Sequence, residues 1–249
     1  MWITEDGIRL NAQLDLPEGS PAKCPLVLLI HGFTGHMEER HILAMRDVFV
    51  QEGLAVLRAD MYGHGHSDGS FENHTLYKWL TNLLTLYEYA RSLDFVTDIY
   101  LCGHSQGGLA VMLGAGMLAD RIKGLIPLSP AVMIPEDARR GTLLGQSFDP
   151  EHIPDVLMTW DGMRLKGNYI RVAQTIYPEL AMDRYQGPVL LVHGDADGAV
   201  PIACSREAAK RYKSARLVEI PGDGHCYELH LDQAAQAVRA WIKEQVSAR

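Results

Sequence analysis

Two periodicities alternate along the chain. Trp2–Glu5 and Ile8–Leu16 interleave apolar and polar positions at a period of two and meet at Asp6-Gly7, a dipeptide that tolerates the positive φ of a tight hairpin turn. They predict an antiparallel opening. Beyond it come short apolar runs, Pro25–Ile30 (PLVLLI), Ala55–Ala59 (AVLRA), Ile99–Cys102 (IYLC), Gly124–Leu128 (GLIPL), Val189–Val192 (VLLV) and Leu217–Ile220 (LVEI). Runs of this kind suit central strands covered on both faces. Helical spacing of apolar positions fills most of the gaps, at about 40–52, 75–92, 107–118, 202–212 and 232–246. Strand–helix alternation predicts an α/β fold, a mainly parallel twisted sheet with an antiparallel N-terminal hairpin and helices on both faces.

The alternation breaks once. Between Pro130 and Gly187 no convincing central strand is visible, and a structureless loop of that length is uncommon. The break predicts a small irregular cap inserted at about 131–185. At 249 residues the whole chain, 1–249, fits one α/β domain, and 47% hydrophobic with 22% charged residues excludes disordered, collagen-like and coiled-coil readings. A formal charge of −8 offers no general cationic surface to a phosphate backbone or an anionic leaflet, so neither nucleic acid nor membrane is expected as a partner. Residues 99–119 carry no acidic or basic side chain, yet Gly103-His104-Ser105-Gln106-Gly107-Gly108 breaks the stretch with a polar, glycine-rich turn, which argues against a membrane span. The N-terminus shows no basic region followed by an apolar one, so a cytoplasmic location is expected. Cys24, Cys102, Cys204 and Cys226 lack paired spacing and are expected to be free thiols.

Gly103-His104-Ser105-Gln106-Gly107 reads G-x-S-x-G directly after an apolar strand and before a helix of small residues. A sharp strand-to-helix turn there projects Ser105 Oγ above the sheet, and side chains at 103 or 107 would collide with the elements on either side. A serine hydroxyl is a weak nucleophile and needs a base and an orienting acid. Among the eleven histidines, His225 follows the last central strand in Pro221-Gly222-Asp223-Gly224-His225, at the same carboxyl edge of the sheet as Ser105. His193 ends a strand and His230 leads into the final helix. Asp195 and Asp197, in His193-Gly194-Asp195-Ala196-Asp197, are both candidate acids that spacing cannot separate. The order Ser, Asp, His fits an α/β-hydrolase triad.

Ser105 in GHSQGG, Asp197 in HGDADGAVP and His225 in GDGHCY resemble the signature sites of the α/β-hydrolase superfamily, and Asp60-Met61-Tyr62-Gly63-His64-Gly65-His66-Ser67 resembles its D-x-x-G-x-G-x-S turn. The resemblance implies the α/β-hydrolase fold and selects Asp197 as the acid, leaving Asp195 to brace the turn. His64 and His66 lack a nearby third ligand, so no metal is expected there. An oxyanion formed at Ser105 needs two donors; the N–H of Gln106 supplies one, and by family analogy Phe33, in His31-Gly32-Phe33-Thr34-Gly35, supplies the other. His31 is read as bracing that loop.

The hairpin, HGFTGH, GHSQGG and a cap of this length are similar to bacterial feruloyl (cinnamoyl) esterases. That resemblance implies hydrolysis of small-molecule hydroxycinnamate esters through a serine acyl-enzyme, with no cofactor, and a cap that binds the phenolic ring. Asp137, Gln146 and Tyr169 could meet ring hydroxyls and Trp160 could form a wall, although ordinary cap packing explains each as well. Monoacylglycerol lipase or broad carboxylesterase activity is the same-class alternative. A non-catalytic hydrolase-fold binder is the different-class one, and an undamaged triad weighs against it.

Overall fold

The structure is a computed structural model that describes residues 1–160 and 162–247. Its strands and helices run in the order β1 (Trp2–Glu5), β2 (Ile8–Asp15), β3 (Cys24–Ile30), α1 (Arg40–Gln51), β4 (Ala55–Ala59), α2 (Leu76–Arg91), β5 (Val96–His104), α3 (Gln106–Leu118) and β6 (Gly124–Leu128). There follow α4 (Ile134–Arg140), β7 (Thr142–Leu143), β8 (Gln146–Ser147), β9 (Val156–Met158), β10 (Arg164–Lys166), α5 (Asn168–Gln174), α6 (Pro178–Arg184), β11 (Val189–Gly194), α7 (Ala203–Arg211), β12 (Ala215–Ile220) and α8 (Leu231–Ser247).

An eight-stranded sheet has the order β1-β2-β4-β3-β5-β6-β11-β12. β1 pairs antiparallel with β2 and β2 antiparallel with β4, while every pairing from β4 through β12 is parallel. Asp6 and Gly7 take positive φ at the hairpin, as their dipeptide predicts. Successive side chains of a strand point to opposite faces, and the core divides accordingly. Leu26, Leu28 and Ile30 of β3 join one buried cluster with α2, α3 and Met182 of α6, whereas Val27 and Leu29 join the other with α1 and α8. The polar member of the β4 run, Arg58, is buried but paired, with Nε 2.9 Å from Asp15 Oδ2 and Nη1 2.9 Å from Glu38 Oε1.

The segment between β6 and β11 is more ordered than its irregular sequence predicts. Leu143, Leu157, Leu165, Tyr169 and Ile170 form a third cluster with Leu109 and Leu113 of α3, so this segment sits on the helix that follows Ser105. Its last helix, α6, belongs to the body of the sheet: a Cβ on Gly116 of α3 would strike Ala181 of α6. Among the described residues, no helix is long and apolar enough to cross a membrane.

Candidate active site

Ser105 stands between β5 and α3 at φ 56°, ψ −119°, a conformation that costs a non-glycine residue about 1–3 kcal/mol and persists only where its surroundings impose it. Here they do. The Ser105 N–H donates to Leu128 O at 2.9 Å, and its carbonyl accepts from the N–H groups of Leu109 and Ala131, both at 3.0 Å. An added Cβ at Gly107 would run into the carbonyls of Ile30 and His31, and one at Gly103 into Gly107, so the glycines of the motif permit the turn as the sequence predicts.

Asp197 and His225 meet from the loops after β11 and β12. His225 Nδ1–H donates to Asp197 Oδ2 at 2.7 Å, which leaves the lone pair on Nε2. Asp197 Oδ1 accepts from the N–H groups of Ala199 and Val200, both at 2.8 Å. Burial alone would raise the Asp197 carboxyl, but hydrogen bonds from His193 and His225, and from the Val200 N–H, outweigh it and hold the group below the usual carboxylate range. Asp195 is exposed and its Oδ1 accepts from the Gly222 N–H at 2.6 Å, tying the β11 loop to the loop that carries His225. The two aspartates are thus separated by environment: one faces a histidine, the other a backbone amide. Ser105 and His225 line the same cavity without a hydrogen bond between them in this structure, and such contacts commonly tighten only with substrate.

The His31–Gly35 loop packs directly on the serine. A Cβ at Gly32 would lie 3.1 Å from Ser105 Cβ, and a turn closed by the Gly35 N–H to Gly32 O, 3.1 Å, carries Phe33 across. The N–H groups of Phe33 and Gln106 have no acceptor among the described residues. His31 braces this loop: Nδ1–H donates to Gly32 O at 2.7 Å and Nε2 accepts from the Met61 N–H at 2.9 Å.

A cavity of about 580 Å³ opens over Ser105, and its wall includes Phe33, His225, Asp137, Leu143, Leu144 and Trp160. That volume suits a small organic ligand. Trp160 is largely exposed, with its ring 5.7 Å from that of Phe33, and Asp137 is partly buried, which raises its carboxyl against the opposing pull of Arg140. Gln146 and Tyr169 are placed otherwise. Gln146 is exposed in β8 and lies outside the lining. Tyr169 is fully buried, lies outside the lining, and donates its hydroxyl to Gln106 Oε1 at 2.5 Å. Tyr169 is therefore positioned to hold the residue after the serine, not to meet a ring hydroxyl. Tyr169→Phe would strand the buried Gln106 side chain at a cost of about 1–3 kcal/mol. The expected result is a lower melting temperature and an equal fall in kcat/KM for methyl ferulate and methyl cinnamate; a penalty confined to the hydroxylated ester would place Tyr169 on the ring instead.

Three supports of the site escaped the sequence. His193 is fully buried, accepts from Ser205 Oγ at 2.7 Å through Nδ1 and directs Nε2–H at Asp197 Oδ2, 3.1 Å, and Val200 O, 3.0 Å. Asp223, also buried, accepts from the N–H groups of Gly224, Leu229 and His230 and so shapes the loop around His225. Tyr227 donates to Val192 O at 2.9 Å and accepts from Ser129 Oγ at 3.0 Å, which pins the same loop to β11. In the 60–67 turn, Asp60 accepts from the N–H groups of Met37 and His66, and His64 packs against His31, His74 and Trp79. The role of that turn is architectural.

Comparison with known proteins agrees with this architecture. The serine aminopeptidase S33 family model matches residues 21–170, and the TAP-like protein model matches residues 159–245. The structure of ferulic acid bound to Est1E from Butyrivibrio proteoclasticus is 61% identical, covers 99% of each chain and superposes with a TM-score of 0.98. The bifunctional esterase/perhydrolase DCH of Acinetobacter calcoaceticus is 23% identical over 89% of this chain and 91% of that protein. The monoacylglycerol lipase of Mycolicibacterium smegmatis is 26% identical over 88% of this chain and 86% of that protein. With the first family model spanning more than half its length and the G-x-S-x-G turn set on a mostly parallel eight-stranded sheet, the chain belongs to the α/β-hydrolase superfamily of serine hydrolases.

Proposed function

We propose that the protein is a serine carboxylesterase of the feruloyl type, which cleaves small hydroxycinnamate esters through an acyl-enzyme on Ser105. The observation that carries this reading is the likeness, along the whole chain at 61% identity, to Est1E with ferulic acid bound. The cavity supports it, because Ser105 and His225 share its wall with two aromatic residues, Phe33 and Trp160, and with Asp137.

His225 Nε2 takes the Ser105 proton as Oγ attacks the ester carbonyl, and Asp197 holds the imidazole in the tautomer that makes this possible. The N–H groups of Phe33 and Gln106 receive the oxyanion. Collapse expels the alcohol, which takes the proton back from His225; water then repeats the sequence to release the acid. The 131–185 segment, apart from α6, acts as the cap: in this reading Asp137 of α4 accepts a hydrogen bond from a ring hydroxyl and Trp160 covers the ring, which the presence of both in the cavity wall supports. A flat, rigid acyl group loses less freedom on binding than a saturated chain of equal size.

Monoacylglycerol hydrolysis is favoured by one observation, the 26% identical lipase. Relative kcat/KM for methyl ferulate and a monoacylglycerol separates the two readings. The feruloyl reading predicts a preference for methyl ferulate; an outright preference for the glyceride replaces it with the lipase.

A further inference from the structure

Beside His225 stands a second group of side chains that hydrolysis does not use. One donor atom from each of His41, His104 and Cys226 lies within 4.8 Å of the others. His41 and His104 are 4% and 2% exposed, and their rings meet edge to face with centroids 4.2 Å apart. His104 Nε2 lies 2.9 Å from the carbonyl oxygen of His225, which can only accept, so Nε2 carries the proton and Nδ1 keeps a lone pair. That Nδ1 is buried without a hydrogen-bond partner, and so is His41 Nε2. Glu39 Oε2, likewise buried and without one, lies 3.9 Å from His41 Nε2. Native proteins leave few buried polar atoms unsatisfied, and here three such atoms belong to side chains grouped around His41, two of which cluster with a thiol.

We propose that His41, His104 and Cys226, with Glu39 beside them, form a binding site for a zinc ion whose occupancy reversibly inhibits the enzyme. The donor set decides the metal: two imidazole nitrogens and a sulfur suit tetrahedral Zn2+, whereas calcium and magnesium require oxygen ligands. Tetrahedral zinc spaces such ligands about 3.5 Å apart, so the group must draw together from a span of up to 4.8 Å, and Cys226 is the one of the three that is only partly buried. Its thiol gives up a proton to solvent as the zinc–sulfur bond forms. The bond from His104 Nε2–H to a backbone carbonyl is of the kind that orients a ligating histidine. Inhibition follows from position. Cys226 is the neighbour of His225, and Glu39, His104 and Cys226 line the cavity that holds Ser105. An ion there draws the His225 loop toward α1 and fills the part of the cavity wall beside Ser105, so His225 is displaced from the serine it must serve.

The inhibitory half rests on the esterase reading; the binding half does not. The test is titration of the full protein with zinc chloride against a chromophoric chelator, alongside methyl ferulate hydrolysis. One ion per chain should bind with Kd below about 10 μM, activity should fall in step, and EDTA should restore it. Cobalt(II) should give a thiolate charge-transfer band that Cys226→Ala removes. His41→Gln and Cys226→Ala, each checked by circular dichroism, should weaken zinc binding at least about tenfold. Wild-type protein that binds no stoichiometric zinc at about 100 μM overturns the site, as does binding or inhibition unaltered in His41→Gln. Stoichiometric binding with undiminished hydrolysis overturns the inhibitory role. Stoichiometric binding by a protein with no esterase activity supports the site and refutes the esterase reading alone.

Discussion

Ser105→Ala is expected to fold like the parent and to lose on the order of 10⁵–10⁶ in kcat, because without Oγ no acyl-enzyme can form. The fold should tolerate the change. The hydrogen bonds that hold the turn at residue 105 come from its backbone N–H and carbonyl, and alanine keeps both. The Phe33 and Gln106 amides, the cavity and His225 also remain, so the variant should still bind ester. Steady-state hydrolysis of methyl ferulate, with circular dichroism to verify folding, reads the effect. Retention of more than about a tenth of the parent activity is incompatible with a serine mechanism.

Asp197→Asn should cost roughly 10⁴ in kcat. An asparagine can present its carbonyl oxygen to the N–H groups of Ala199 and Val200, as Oδ1 does in the parent, but its NH2 group then faces His225. The imidazole must turn a lone pair toward that NH2, which leaves Nε2 protonated and unable to take the serine proton. His193 adds to the cost, since its Nε2–H also points at Oδ2. Asp195→Asn should behave differently. Its oxygen can still accept from the Gly222 N–H on the exposed side of the loop, so activity should change little and stability by less than about 1 kcal/mol. A soluble, folded Asp195→Asn enzyme that is inactive beside an active Asp197→Asn enzyme would reverse the roles of the two residues.

The sheet is legible in the sequence because its central strands are covered on both faces, which writes them as short apolar runs such as 25–30 and 189–192. The long helices follow from their spacing. The segment between β6 and β11 is not legible in the same way: β7 and β8 are two residues each, β9 and β10 three, and runs that short carry no period. α6 is hidden within the same stretch although it packs on α3 against Gly116. The nucleophile turn and its two partner loops are readable because each pairs glycines with a polar residue at the carboxyl end of a strand. What lies behind them is not. Tyr169 and Gln106 are far apart in sequence, and only their packing reveals that the tyrosine hydroxyl is taken by the glutamine. His193 could be read as a spare histidine, but its hydrogen bond to Asp197 depends on the path of the 194–200 loop. The meeting of His41, His104 and Cys226 joins α1, the end of β5 and the loop after β12, a juxtaposition that no local motif records.

The most direct test of the account is to catch the acyl-enzyme. Methyl ferulate mixed with the protein, quenched in acid within the first turnovers and digested, should yield a feruloyl group esterified to the peptide that carries Ser105, and none in Ser105→Ala. A fluorophosphonate probe should label the same serine and no other. A feruloyl adduct on a different residue, or rapid hydrolysis with chemistry and deacylation shown to be slow enough for capture and no adduct at all, would contradict the serine esterase proposed here.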